Sequence, residues 1–318
     1  MSIKILLIGK PAVGKTTIKK IIFEGVNPLE LLKSSLDPTR GIESKVYKWM
    51  DLELGLFDIS GQELNIILRE EEESIRSFAN TNAFIYIIEY YKWKSSFQEY
   101  IDDINRIYNI IIKYNLKSQL ILFLHKIDLL DRNKSKINFQ KIKKEILNLI
   151  KLPIIPKIYV TSIIPKYIYY LYEAFFNILV SFSEHIYELK NIIDEILQKY
   201  SKIFCIVRNI SKSIIVQSMT KDFDPDLISD VYRRIIKEAL IPDKKGTIAL
   251  KINKIKDVGL IISDVYRDNK EITHPLIKNI IYIFEKTEEK KIRELMTKIR
   301  KKVSNYYLKW AENNLFVK

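Results

Sequence analysis

A single cysteine, Cys205, among 318 residues excludes an intramolecular disulfide, and with only three histidines beside it the chain cannot assemble the usual zinc site of four cysteines or of two cysteines and two histidines. A reducing, intracellular setting is expected, with Cys205 a small core residue of an apolar strand. Eight glycines and nine prolines leave no collagen-like repeat, Gly/Ser linker or low-complexity tract. Long apolar runs are missing too. The most apolar stretch, 167–182, carries Glu173 at its middle and is shorter than the roughly 20 residues that span a bilayer, so it reads as a buried amphipathic helix. Residues 1–4 enter a strand-like segment without a charged and apolar leader, and no signal peptide is expected. Ser2 and the final residues 315–318 fit neither a myristoylation nor a prenylation signal. The expectation is a cytoplasmic protein whose attachment to any membrane must be borrowed.

What is present is a globular composition: 47% hydrophobic and 29% charged residues exclude wholesale disorder. The net charge of +14 raises nucleic acid or an acidic membrane as partners. Its distribution argues against the first. Residues 1–183 hold 26 basic against 20 acidic side chains, and 184–318 hold 27 against 19, so no basic stripe stands out and no specific nucleic-acid binding is expected.

The length suits two domains. From the N-terminus, a short apolar run at 3–8 meets a Gly-bounded loop and then a helix-like segment at 16–23. Strands follow at 43–49 and 52–58, joined tightly, and at 83–88, 119–124 and 157–160. Helices fall at 95–114, 137–149 and 166–183. The alternation implies an α/β domain over 1–183 with a mainly parallel six-stranded sheet, one antiparallel hairpin at its edge, and ligand chemistry at the carboxyl ends of the strands. Past 183 the rhythm changes: a helix at 184–200, strands at 202–208 and 213–219, a helix at 224–240, strands at 246–252 and 258–266, and a long charged helix over 275–313 with a break near 286. A smaller α+β domain over 184–318 is expected.

Gly9-Lys10-Pro11-Ala12-Val13-Gly14-Lys15-Thr16 satisfies G-x-x-x-x-G-K-[ST] between a strand and a helix, the context a phosphate-binding loop requires. Backbone N–H groups of Gly9, Lys10, Ala12, Val13, Gly14, Lys15, Thr16 and Thr17 would cradle phosphates. Lys15 would charge-pair with the β and γ groups, and the Thr16 hydroxyl would bind Mg²⁺. Asp58 ends a strand in Asp58-Ile59-Ser60-Gly61-Gln62, where it would hold the ion through water. Gly61 would offer its N–H to the γ-phosphate and Gln62 would orient the attacking water. Thr39 lies between these motifs, where a loop could close its hydroxyl over the same ion. The expected catalytic set is Gln62, Lys15 and Thr39; the expected metal set is Thr16, Thr39 and Asp58. His125-Lys126-Ile127-Asp128 follows a strand at the place where N-K-x-D selects guanine. Asp128 would accept from the base's N1–H and N2 amino group, Lys126 would lay its stem against the purine, and Ser162 and Ile163 would supply backbone donors to O6. His125 departs from the Asn of that motif.

With these elements in order the chain resembles a small GTPase, and the spelling is similar to the Rag/Gtr group. The matching segments are Lys4-Ile5-Leu6-Leu7-Ile8-Gly9-Lys10, Ile21-Ile22-Phe23, His125-Lys126-Ile127-Asp128 and Thr161-Ser162-Ile163. His in place of Asn is typical of that group. Ser60, where the group usually has Gly, and Pro11-Ala12 depart from its pattern, so Arf-like and Ras-like GTPases remain neighbouring readings. The resemblance implies a roadblock-like domain over 184–318, dimerisation with the same or another roadblock-type protein, and recruitment to a membrane scaffold. It also implies GTP/GDP and Mg²⁺ as cofactors, slow hydrolysis of GTP to GDP and phosphate, and activating and exchange proteins as partners. A constitutively nucleotide-bound scaffold is the alternative. Arg40 follows the switch Thr and reads as a solvated loop residue, the acids 70–73 as an exposed helical face, and the lysines of 286–302 as an ion-paired solvent face.

Overall fold

Ile3, Ile5, Leu6, Leu7 and Ile8 form a nearly unbroken branched apolar run, the pattern of a strand covered on both faces, and all are buried in β1 (Ser2–Ile8). A computed structural model describes residues 2–33, 41–49, 51–133, 138–150, 152–209, 213–224, 227–228, 232, 247–248, 258–264, 277–285 and 289–315. β1 joins β2 (Ile42–Trp49), β3 (Leu52–Ile59), β4 (Ala83–Glu89), β5 (Gln119–His125) and β6 (Lys157–Val160) in one sheet of order β2-β3-β1-β4-β5-β6. β1 pairs in parallel with β3 and β4, β5 in parallel with β4 and β6, and β2 runs antiparallel to β3 at the edge. The expected α/β sheet with one hairpin is the arrangement observed.

Helices α1 (Lys15–Glu24), α2 (Pro28–Leu31), α3 (Gly61–Ile67), α4 (Glu71–Phe78), α5 (Tyr90–Lys113), α6 (Phe139–Ile150) and α7 (Ile168–Leu179) are interleaved with these strands, along with a 3-10 segment at Ile127–Asn133. The two-residue period of a strand sends Leu6 and Ile8 into one core with Tyr100, Ile104 and Ile107 of α5 and Ile142, Ile146 and Ile150 of α6. Phe57 packs against that core from β3. Leu54, Leu56 and Asp58 therefore point to the other face. That face is covered by α1, whose Phe23 ring lies 5.2 Å from Tyr47 and 5.4 Å from Trp49. Strand alternation thus delivers the Asp58 carboxylate to the first turns of α1. The helix expected at 95–114 begins earlier, at Tyr90, because Ser96 (φ −133°, ψ 28°) is a kink that joins two helical stretches.

The chain divides into two compact units, Met1–Ala174 and Phe175–Lys318, the division falling within α7. In the second, α8 (Glu184–Leu197) is capped by Ser183, whose Oγ accepts from the Ile186 N–H at 3.0 Å. Strands β7 (Ile203–Asn209), β8 (Ile214–Met219), β9 (Thr247–Ile248), β10 (Val258–Asp264) and β11 (Ile277–Glu285) form an antiparallel sheet of order β8-β7-β11-β10-β9. Helix α9 (Glu289–Leu315) buries Ile292, Leu295, Ile299 and Val303, a three- and four-residue spacing that lays one apolar stripe along it. It packs on α8 and β11.

The long helix expected over 275–313 is corrected by β11. Ile277, Ile280, Ile281, Tyr282, Ile283 and Phe284 are all buried, and β11 lies between β7 and β10. A central strand buried on both faces is continuously apolar, rich in β-branched and aromatic residues, and a short run of that kind carries no period to separate it from a helix. The helix expected at 224–240 lies almost wholly outside the described residues.

Phe84 of β4 is fully buried and meets the Phe78 ring edge-on at 4.9 Å. Phe84→Ala is expected to destabilise the first unit by about 3–5 kcal/mol. Val46→Ala, at an exposed edge position, should stay within about 0.5 kcal/mol of wild type. Urea midpoints followed by far-UV circular dichroism check both.

Candidate functional site

The loop between β1 and α1 turns over Gly9, Ala12 and Gly14, whose φ values are +146°, +60° and +102°. Lys15 is buried in it and donates to the carbonyls of Gly9 at 2.8 Å and Lys10 at 2.9 Å. Burial lowers its pKa to about 8, against the opposing pull of the Asp58 charge. A cation held so, in a ring of backbone groups and short of counter-charge, is suited to an anion that brings its own. Val13 is buried beneath the loop, and Thr17 is half-buried on α1.

Asp58 is wholly buried at the end of β3. The Thr16 hydroxyl donates to its Oδ2 at 2.7 Å, and Lys19 Nζ lies 3.4 Å from the same oxygen, whereas Oδ1 has no hydrogen-bond partner among the described residues. Buried carboxylate oxygens are rarely left unmatched. An open carboxylate oxygen beside a hydroxyl is a hard-oxygen donor set of the kind that suits a hydrated magnesium ion, which keeps several waters and takes one or two protein oxygens. Thr16 and Asp58 fit that ion. Thr39, like Arg40, lies outside the described residues.

Gly61 and Gln62 open α3 rather than lying in a loop. Ser60 caps this helix: its Oγ accepts from the Glu63 N–H at 3.1 Å. The departure at Ser60 is thus a helix cap, and Ser60-Gly61-Gln62-Glu63 has the spelling of a capping box. Gly61 lies directly on the phosphate loop, since a Cβ there would fall 2.3 Å from Pro11 N and Cδ. Only a residue without a side chain permits that approach. Gln62 is exposed beside it.

At the far end of the loop, Lys126 (φ +58°) follows β5 and donates to the Ala12 carbonyl at 2.9 Å and to Glu89 Oε2 at 3.0 Å. Asp128 accepts a short hydrogen bond from Ser162 Oγ, which in turn accepts from the Ile164 N–H at 3.1 Å. Ser162, wholly buried, therefore fixes Asp128, while Ile163 is half-buried next to it. His125 is buried with Nδ1 3.0 Å from Thr161 Oγ1. Its ring also faces the phosphate loop: a Cβ on Gly14 would fall 2.9 Å from Cδ2 and 3.0 Å from Nε2. His125 thus spans the distance from Thr161 to Gly14, and its contact with the loop is made by close packing.

The structure brings the loop residues, Thr16, Asp58, Gly61 and Gln62 together at one end of the sheet, with Lys126, Asp128 and Ser162 along the same strand ends. Three participants escape a motif search. Lys19 stands three residues after Thr16 on α1, a spacing that puts both on one helix face; it reaches Asp58 and also Glu43 Oε2, at 2.7 Å. Burial pulls its pKa down, but the Glu43 hydrogen bond and the two carboxylate charges outweigh this and the net shift is upward. Glu89 and Ser60 are the others, and only Ser60 left a legible sign, in its capping box.

The six-stranded, mainly parallel sheet with a phosphate loop opening α1 and a buried carboxylate ending β3 fits a P-loop GTPase. Residues 4–236 match the model of the Gtr1/RagA G protein conserved region, and the chain belongs to that family. Among curated proteins it is similar to the GTP-binding protein GTR2 of Saccharomyces cerevisiae, 28% identical over 207 residues that make up 63% of this chain and 56% of that protein. The chain therefore spans a little over half the length of this relative.

Burial, with the charge of Lys126 second, lowers the His125 pKa to about 3, so the ring is neutral in the folded protein. Its folded pKa lies below its unfolded one, near 6.5. The unfolded chain thus takes up the proton first, and stability present above pH about 6.5 is lost as pH falls towards 3. Between pH 6.5 and 4, wild type should lose stability relative to His125→Asn with a slope of up to about 1.4 kcal/mol per pH unit. Urea unfolding of both proteins across that range checks the slope.

Proposed function

We propose that this protein is a GTP-binding molecular switch with a slow GTPase activity. The observation that carries the reading is the pairing of two features at one end of the sheet, after β1 and after β5. A phosphate loop holds a charge-starved Lys15, and Asp128 is locked by Ser162 where its carboxylate can accept from a guanine N1–H and N2 amino group. Adenine presents an acceptor at N1 and no amino group at C2, so the same carboxylate disfavours it.

In this reading backbone N–H groups of Gly9, Lys10, Ala12, Val13, Gly14, Lys15, Thr16 and Thr17 surround the phosphates, as helix N-termini and their preceding loops do. Lys15 leaves the Gly9 and Lys10 carbonyls for the β and γ groups. Lys126, anchored at Ala12 and Glu89, offers its stem to the purine. Ser162 and Ile163 present backbone donors to the base, and His125 keeps the loop and the base site at a fixed distance. Thr16, Asp58 and Thr39 would hold Mg²⁺, which when bound would neutralise phosphate charge and polarise the γ group. Gln62, at the exposed start of α3, orients the attacking water, and Gly61 donates its N–H to the γ-phosphate. Hydrolysis is slow on its own, and an activating protein that supplies a cation to the leaving charge in trans speeds it.

We assign 1–183 to the switch and 184–318 to a roadblock-like domain. The antiparallel sheet β8-β7-β11-β10-β9 with α8 and α9 packed on it supports that assignment. Through it the protein pairs with the same or another roadblock-type protein, and a scaffold of that pair, with activating and exchange proteins, carries it to a membrane. Among the described residues no helix is long and apolar enough to cross one.

In competition titrations wild type should prefer GTP over ATP by at least ~100-fold, the worth of two hydrogen bonds to a charged acceptor. Asp128→Asn should lose a comparable factor for GTP and gain xanthosine triphosphate. Equal affinities for GTP and ATP would end the reading. Gln62→Leu should lower the single-turnover hydrolysis rate at least ~10-fold while GTP affinity stays within about 2-fold.

A further inference from the structure

Lys19 is a costly residue where it stands. It is 7% exposed on α1, and an ammonium withdrawn from water repays its desolvation only if anions meet it with good geometry. Two do. Asp58 Oδ2 lies at 3.4 Å and Glu43 Oε2 at 2.7 Å. Glu43 and Asp58 are direct partners in the β2–β3 register, so one cation joins α1 to both strands of the hairpin. On Asp58 the division of labour is uneven: Thr16 and Lys19 both engage Oδ2, and Oδ1 is left open. The Glu43 side chain, 53% exposed, closes the bridge from the solvent side. It sits at the second position of β2, four residues after Thr39 in the sequence.

We propose that Lys19 is a positioning residue of the divalent-ion site, its ammonium fixing the Asp58 carboxylate through Oδ2, leaving Oδ1 for the ion's hydration shell and tying the carboxylate to β2 through Glu43. This rests on the reading of Asp58 as the carboxylate that serves Mg²⁺. Without the ion, Lys19 and Thr16 match the buried charge and keep the rotamer in place. With the ion, Asp58 is already aimed and no reorientation is needed. Supporting groups around ion ligands act in this way, by holding the ligand's geometry. Glu43 makes the arrangement reach β2, so ion binding and the start of that strand feel one another through a single side chain.

The test is the release of a fluorescent GDP analogue from the full chain, measured over a Mg²⁺ titration and in excess chelator. For Lys19→Met the Mg²⁺ concentration that half-slows release should rise ~10-fold, the lower end of what outer-shell substitutions cost in metal affinity. Release in chelator should stay within about 2-fold of wild type. Lys19→Arg, which keeps the charge, should return the midpoint to within about 3-fold of wild type, and Glu43→Gln should raise it about 3-fold. A Lys19→Met midpoint equal to wild type would overturn the proposal, as would equal acceleration with and without Mg²⁺, the mark of lost packing alone. Should Lys19→Met not fold, Glu43→Gln decides: an unshifted midpoint overturns the bridge. If wild type itself releases GDP at a rate indifferent to Mg²⁺, the underlying reading of Asp58 fails, a result separate from any difference between variants.

Discussion

Asp58 has no exposed surface, and an ionised carboxylate so placed costs several kcal/mol unless donors and cations surround it. The neighbouring chemistry follows from that demand. Thr16 gives a hydroxyl, Lys19 gives a charge, and Lys15 contributes its field from the loop. These three side chains are on or at the start of α1, so the helix that covers one face of the sheet also meets the charge at the end of β3. A site of this kind is assembled by the fold before any ligand arrives, because the partners of the carboxylate are set by strand parity and helix pitch.

The far end of the loop obeys the same logic. Asp128 is held by a serine that is itself buried and bonded, and Lys126 is stretched between Glu89 and a loop carbonyl. His125 adds a spacer. A neutral ring packed against a glycine transmits position without bringing charge to the loop. Asparagine at that point is shorter and polar; histidine fills the same gap with volume.

Most of the first sheet was legible because its strands are short apolar runs bounded by loops and its motifs fall at strand ends, where the chemistry of a parallel sheet gathers. Lys15, Thr16, Asp58 and Asp128 could be placed from spelling alone. β11 could not, because Ile280 to Phe284 carry apolar side chains on both faces and leave no period to read. Lys19 was missed for a different reason. A lysine on a helix is solvated by default, and only the parity of β3, which turns Asp58 towards α1, makes this one a member of the site. Ser60 departs from the motif because it caps α3, which begins at the next residue.

β2 stands at the end of the sheet and is bonded to β3 on one side. The other five strands keep without it the ladders they make among themselves. Displacing β2 would break its ladder to β3, the packing of Tyr47 and Trp49 on Phe23 and the Lys19–Glu43 bridge, yet leave the rows that seat the phosphate loop intact, so this outer rail is bolted to the first unit by α1 as much as by its neighbouring strand.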